Sequence, residues 1–97
     1  MIRVVCKAKL KLGVDVEEYL VPAREMVAET RNENGCIMYT LHQDIHDASI
    51  FTTIEEWVDE KALAQHNMSV HCKQIVPKLR ALRESTEINV YKEVEFE

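Results

Sequence analysis

Residues Phe51–His71 read FTTIEEWVDEKALAQHNMSVH. The segment opens as an apolar-rich run with Phe51, Glu55 and Trp57 at odd positions, the alternation of a strand. Asp59 follows in the place of a helix N-cap, and Glu60–His66 takes up a helical pattern. Asn67-Met68-Ser69 interrupts that pattern, and Ser69 can cap a further helix from Val70. A carboxylate, the only tryptophan and two histidines therefore lie where a strand hands over to two helices. This is the place to look for chemistry, and the rest of the chain reads as its scaffold.

Toward the N-terminus, Ile50–Val58 is a strand with Ile50, Ile54 and Val58 on one face and Phe51 and Trp57 on the other. Beyond the polar loop Asp44–Ser49, Cys36–Gln43 (CIMYTLHQ) is a second strand, with Ile37, Tyr39 and Leu41 on one face and Cys36 and Met38 on the other. Strands apolar at both parities are covered on both sides. Asn34-Gly35 supplies a turn with positive φ available. Before it, Val16, Tyr19, Leu20, Ala23, Met26, Val27 and Thr30 form the stripe of an amphipathic helix that starts at an Asp15 cap and ends near Arg31. Pro22 lies off that stripe and predicts a kink or a loosened first turn. Ile2–Leu10 alternates, with Ile2, Val4, Cys6, Ala8 and Leu10 on one face and Arg3, Lys7 and Lys9 mostly on the other; Gly13 closes the turn after it. Toward the C-terminus, the helix from Val70 carries Val70, Ile75, Val76, Leu79 and Leu82, with Pro77 inside it. Glu87–Phe96 alternates as a last strand, with Ile88, Val90, Val94 and Phe96 on one face.

The order β-α-β-β-α-β predicts an α+β, ferredoxin-like fold with an antiparallel sheet, in a single domain over residues 1–97. The helices can cover only one face of such a sheet. The apolar residues on the other face of the middle strands predict a second copy of the chain packed sheet to sheet, a symmetric homodimer.

The chain has 97 residues, 46% of them hydrophobic, with two glycines and two prolines, a globular composition. Its net charge of −5, with acids spread along the chain, argues against a nucleic-acid or anionic-membrane surface. No run is long and apolar enough for a bilayer span, and the N-terminus enters a strand without a signal-peptide pattern, so a cytoplasmic location is expected. Cys6, Cys36 and Cys72 are expected as reduced, partly buried thiols.

His66 and His71 are candidates for base or hydrogen-bond donor, since histidine titrates near neutrality. On one uninterrupted helix they would point apart, and the break at Asn67–Ser69 is what can bring them together. The plainer alternative is a surface His66 and a helix-capping His71. Glu55 shares a strand face with Phe51 and Trp57, where burial would raise its pKa; the alternative is a cross-strand partner for a lysine or arginine. Trp57 is either core or pocket wall. Tyr39 and His42 have opposite parity, so at most one faces a pocket directly. The four histidines show no HxH or HxxxH spacing, which argues against a metal site, and no phosphate loop or nucleophile elbow is present.

Gly35-Cys36, Tyr39 and Leu41-His42-Gln43-Asp44 fit the pattern G-C-x-x-Y-x-L-H-x-D. Phe51, Glu55 and Trp57 fit F-x-x-x-E-x-W, and Ala62, His66, Ser69 and His71 fit A-x-x-x-H-x-x-S-x-H; Lys73, Pro77 and Leu79 continue in kind. Together these resemble the antibiotic biosynthesis monooxygenase family, over nearly the whole chain. The resemblance implies a dimeric α+β barrel with one pocket per subunit between sheet and helices. In the quinol branch it implies a cofactor-independent monooxygenase that oxidises a small electron-rich aromatic with dioxygen, without metal or flavin. Carried onto this chain, it places His66, His71, Glu55 and Trp57 as catalytic residues and Tyr39, His42 and Phe51 as substrate-binding residues. The family also holds haem-degrading enzymes and a phospho-autoinducer isomerase. This chain departs from the pattern at Asn34, where a proline is common, and at Cys72, where an aromatic often follows the second histidine. It also lacks the first-strand asparagine that the haem-degrading members use. Two other readings stay open: an isomerase of a small phosphorylated carbonyl compound, with Lys73 or Arg80 as phosphate ligand, and a non-catalytic dimeric stress protein that binds a small molecule.

Overall fold

A computed structural model describes residues 1–96. The elements are β1 (Ile2–Leu10), α1 (Val16–Arg31), β2 (Cys36–Gln43), β3 (Ile50–Trp57), α2 (Glu60–Asn67), α3 (Val70–Ala81) and β4 (Arg83–Lys92). The strands form one antiparallel sheet in the order β2-β3-β1-β4. With α2 and α3 together as the second helical limb, this is the ferredoxin-like α+β fold that the order of elements predicts.

Each helix starts where a short polar side chain can satisfy an orphan backbone donor. Asp15 Oδ1 accepts from Glu17 N at 3.1 Å, Asp59 Oδ1 from Ala62 N at 2.8 Å and Ser69 Oγ from Cys72 N at 3.3 Å. Ser69 also donates its hydroxyl proton to the His66 carbonyl at 2.7 Å. One side chain thus ends α2 and begins α3, and it fixes the bend between them. α1 runs from Val16 to Arg31 as one helix through Pro22.

Helix stripe and strand faces meet in one core. Val4, Ala8 and Leu10 of β1, Phe51 and Trp57 of β3 and Tyr39 of β2 pack against Tyr19, Ala23 and Met26 of α1 and Cys72, Ile75 and Leu79 of α3. Trp57 is fully buried. Val70, expected on the α3 stripe, is exposed instead, because Ser69 turns the first residue of the helix outward from the core that Cys72 enters.

The sequence misplaces side chains on two strands. In β2 an irregularity between Cys36 and Met38 changes the parity. Cys36 pairs with Trp57 and Tyr39 with Glu55, so both lie on the helix-covered face, while Ile37 is left unpaired and half exposed. A bulge adds one residue to one strand only and so reverses the alternation on either side of it. The last strand was expected over Glu87–Phe96 and lies instead at Arg83–Lys92. Its extent is set by its partner: Leu10 lies opposite Arg83 and Ile2 opposite Lys92, and β1 offers nothing further to pair with. Val94 and Phe96 fall beyond the strand and are exposed.

The helices pack over β1, β2 and β3 and meet β4 at Arg83, which bonds Tyr19 of α1, while most of β4 is exposed. Ile88 and Val90 face the helix side opposite Cys6 and Val4, yet both are about half exposed. The far face of the sheet, with Val5, Met38 and Ile54 among Arg3, Lys7, His42 and Glu56, is covered by no element among the described residues. No helix among the described residues is long and apolar enough to cross a membrane.

Candidate active site

A cavity of about 220 Å³ lies between the sheet and the helices. Tyr39 and Leu41 of β2 and Thr53 and Glu55 of β3 line its floor, with His66 and Cys72 from the helices above. Its wall is mostly apolar, so the few polar atoms in it act in a medium of low dielectric.

Gly35 sets the position of one end. Its φ of +86° is open to glycine at little cost, and a Cβ there would lie 2.6 Å from Ala62 Cβ and 3.1 Å from Val58 Cγ2. That close approach seats the start of α2 on the start of β2. It brings His66 over Glu33, two residues before the glycine.

Glu33 Oε2 lies 2.5 Å from His66 Nδ1 and 3.1 Å from His71 Nε2. A carboxylate only accepts, so both ring nitrogens donate to it. This assigns the Nδ1–H tautomer to a neutral His66 and leaves its Nε2 lone pair unprotonated. Nε2 is 3.4 Å from Cys72 Sγ, on the cavity side. The His66 ring is held between Trp57, with centroids 4.6 Å apart, and Tyr39, at 5.9 Å. His71 also lies 3.4 Å from Thr30 Oγ1 and 3.3 Å from Ser69 Oγ. It stands behind Glu33 and outside the cavity wall. The bend at Ser69 does bring the two histidines together, with ring centroids 5.9 Å apart.

Glu55 is 5% exposed. Its Oε1 accepts from Trp57 Nε1 and its Oε2 from Thr53 Oγ1, each at 3.1 Å. Burial pushes its pKa above the ordinary carboxyl value, against the Trp57 hydrogen bond, the charge His66 carries when protonated and the Thr53 hydrogen bond, which pull it down. Burial, with the charges of Glu55, Cys72 and Cys6, also pushes the Tyr39 phenol far up, so it stays protonated. Burial likewise raises the Cys72 thiol, so a thiol rather than a thiolate faces His66.

Of the residues singled out from sequence, Glu55, His66 and Tyr39 line the cavity. Trp57 lies behind them, hydrogen-bonded to Glu55 and packed at a tilt against His66. Phe51 is core, its ring 5.3 Å from that of Tyr19, and it is not on the cavity wall. His42 lies on the opposite face of the sheet, exposed, and 2.8 Å from Thr40 Oγ1. Of the two cations considered for phosphate, Arg80 lines the cavity and Lys73 does not.

Three contributors were missed in the sequence: Glu33, Cys72 as a neighbour of His66, and Arg83. Arg83 lines the cavity and donates to Tyr19 Oη from Nε at 3.1 Å and Nη2 at 2.9 Å. Glu33 could have been noticed as an acid held close to Gly35. Linear histidine spacing argues against a metal, but in the fold His66, His71 and Cys72 bring ligand atoms within 4.8 Å of one another. This donor set suits a borderline-soft divalent cation by type, and Glu33 engages both of its imidazoles here.

The arrangement offers an oriented imidazole base, a carboxyl of raised pKa and a protonated phenol around a small apolar space. Those are the elements of proton transfer with stabilisation of a developing oxyanion.

The family model for antibiotic biosynthesis monooxygenases matches residues 1–78. The Bacillus subtilis protein YcnE is 33% identical over 66 residues, covering 68% of this chain and 70% of that one. A crystal structure of a conserved protein from Methanosarcina mazei is 39% identical, with a TM-score of 0.91 over 96% of this chain and 92% of that one. Another crystal structure, described as an antibiotic biosynthesis monooxygenase, is 30% identical, with a TM-score of 0.92 over 98% of this chain and all of that one. With motifs, fold and these likenesses in agreement, the chain belongs to the antibiotic biosynthesis monooxygenase family.

Proposed function

We propose that the protein is a cofactor-independent monooxygenase that oxidises a small quinol-like or polyphenolic aromatic with dioxygen. The observation that carries this reading is His66. Its Nδ1 bonds Glu33, its Nε2 lies 3.4 Å from Cys72 Sγ, and the residue shares the wall of a small apolar cavity with the buried Glu55. The substrate supplies the electrons. His66 Nε2 takes a phenolic proton, and the phenolate gives one electron to dioxygen. The resulting pair of radicals joins into a carbon–oxygen bond, forming a ring peroxide. Loss of the ring proton and cleavage of the O–O bond then release water and leave a quinone carbonyl. For a quinol the balance is one quinol and one dioxygen to one hydroxyquinone and one water. In this reading Tyr39, and Glu55 in its protonated form, donate to the oxygen that becomes anionic, and the apolar wall keeps water from the intermediate.

The functional unit we propose is a homodimer, with the uncovered far face of the sheet as the contact. One observation favours a second reading, an isomerase of a phosphorylated carbonyl compound: Arg80 stands on the cavity wall.

The test is oxygen uptake by purified, metal-stripped protein with a panel of quinols, against autoxidation blanks. Uptake above the blank, reduced at least about 100-fold by His66→Ala and about tenfold by His71→Ala, is expected for a base and its positioning neighbour. Uptake equal to the blank across the panel would sink the oxygenase. Turnover of a phosphorylated ketone by the same protein would then establish the isomerase.

A further inference from the structure

The cavity has two chemically different ends. Glu55, His66 and Tyr39 stand at one. Arg80, from the last turn of α3, and Arg83, the first residue of β4, stand at the other. Arg83 is half-buried and its guanidinium is held in place. Two of its nitrogens donate to Tyr19 Oη, and its Cζ lies 5.8 Å from the centre of the Tyr19 ring. This fixes the plane of the fork and leaves further N–H donors free, since an arginine carries five in all.

The Tyr19 hydroxyl is a neutral acceptor, so the charge is not matched. Among the described residues no carboxylate lies within 4.0 Å of Arg80 or Arg83. Acids outnumber bases in this chain by 17 to 12, so a missing partner is not for want of acids. Arg80 is exposed and Arg83 is half-buried with only a neutral partner, and a held, partly desolvated cation left unpaired on a cavity wall marks a position where a ligand brings the anion. The charge is felt within the cavity: both arginines lower the Cys6 thiol against its burial, and Arg83 does the same to the Tyr39 phenol.

We infer that the cavity takes a small aromatic bearing a carboxylate, which pairs with the Arg83 guanidinium, Arg80 on the same wall, while the ring lies toward His66. The ring's fate rests on the oxygenase reading above, whereas the anion's place does not. A carboxylate is preferred to a phosphate ester because one oriented planar fork matches two coplanar oxygens. A phosphate dianion would gain from a second held cation, but Arg80 is exposed and Lys73 does not line the cavity.

The experiment is calorimetric binding to the full chain of three probes: 2,5-dihydroxybenzoate, its neutral amide 2,5-dihydroxybenzamide, and phenyl phosphate. The acid is expected to bind about tenfold or more tightly than the amide, since the two differ by one charge-assisted pair. That ratio should shrink as salt is raised. In Arg83→Gln it should fall to about one, with a smaller fall in Arg80→Gln. Arg83→Gln also releases Tyr19, so its melting curve is recorded. If it does not fold, Arg80→Gln and the salt dependence of the unmodified protein decide. A ratio near one in the unmodified protein overturns the inference, as does a ratio kept in folded Arg83→Gln. Phenyl phosphate that binds more tightly than the acid, and through Arg83, also overturns it. Because the readout is equilibrium binding, absent oxygen uptake with an intact ratio removes the oxygenase alone. Uptake without the ratio removes this inference alone.

Discussion

Glu33 accepts two imidazole protons on a single oxygen, and that contact does more than hold side chains still. By accepting the hydrogen bond from His66 Nδ1–H it decides which nitrogen of that ring is left unprotonated. Glu55 makes a different point at the same scale. Its pKa is raised above the ordinary 4.5, so between that value and the raised one the folded chain holds a proton that the unfolded chain has released. The sign follows from linkage: the contribution is full below the ordinary carboxyl range and is lost as pH rises through the raised value. Glu55→Gln keeps an acceptor for Trp57 and removes the titration. The urea midpoint of the unmodified protein should therefore fall relative to that of the variant as pH rises from the ordinary carboxyl value of 4.5 through the raised one. Parallel midpoints across that range would show that Glu55 does not titrate differently on folding.

At the scale of elements, the turn at Gly35 and the bend at Ser69 position the site. Gly35→Ala places a methyl 2.6 Å from Ala62 in a conformation that L-residues avoid. The two effects together should destabilise by about 2–4 kcal/mol, read as a lower urea midpoint at unchanged m. A shift below about 0.5 kcal/mol, within the range of an ordinary surface change, would mean that α2 moves freely over β2.

This scale also shows what could be read in advance. Asp15, Asp59 and Ser69 announce their helices because capping is a local matter of one side chain and one N–H. The alternation of β1 and β3 survives because both are central in the sheet. The β2 bulge and the bounds of β4 were not legible: each depends on a partner strand, and nothing in CIMYTLHQ says which residue a neighbour will skip. The site divides in the same way. His66 and Glu55 stood out by residue type beside a strand and a break, whereas Glu33 and Arg83 gain meaning only from contacts far along the chain.

For the whole molecule, the open question is what covers the sheet. Ile54 lies mid-strand on the far face, opposite Val5 on one side and Thr40 on the other. If a second copy packs there, light scattering should give twice 11.3 kDa for the unmodified protein and 11.3 kDa for Ile54→Lys. A monomer in both cases would remove the homodimer. Ile88 and Val90 lie on the other face, the helix side, and stay half exposed there because most of β4 is left uncovered.

Trp57 is the only tryptophan in the chain, sealed from solvent, hydrogen-bonded to Glu55 and packed against His66. Its intrinsic fluorescence is therefore not an average over scattered chromophores. It comes from one indole in contact with both the acid and the base of the site, so the protein carries its own optical gauge of protonation and occupancy there, with no label attached.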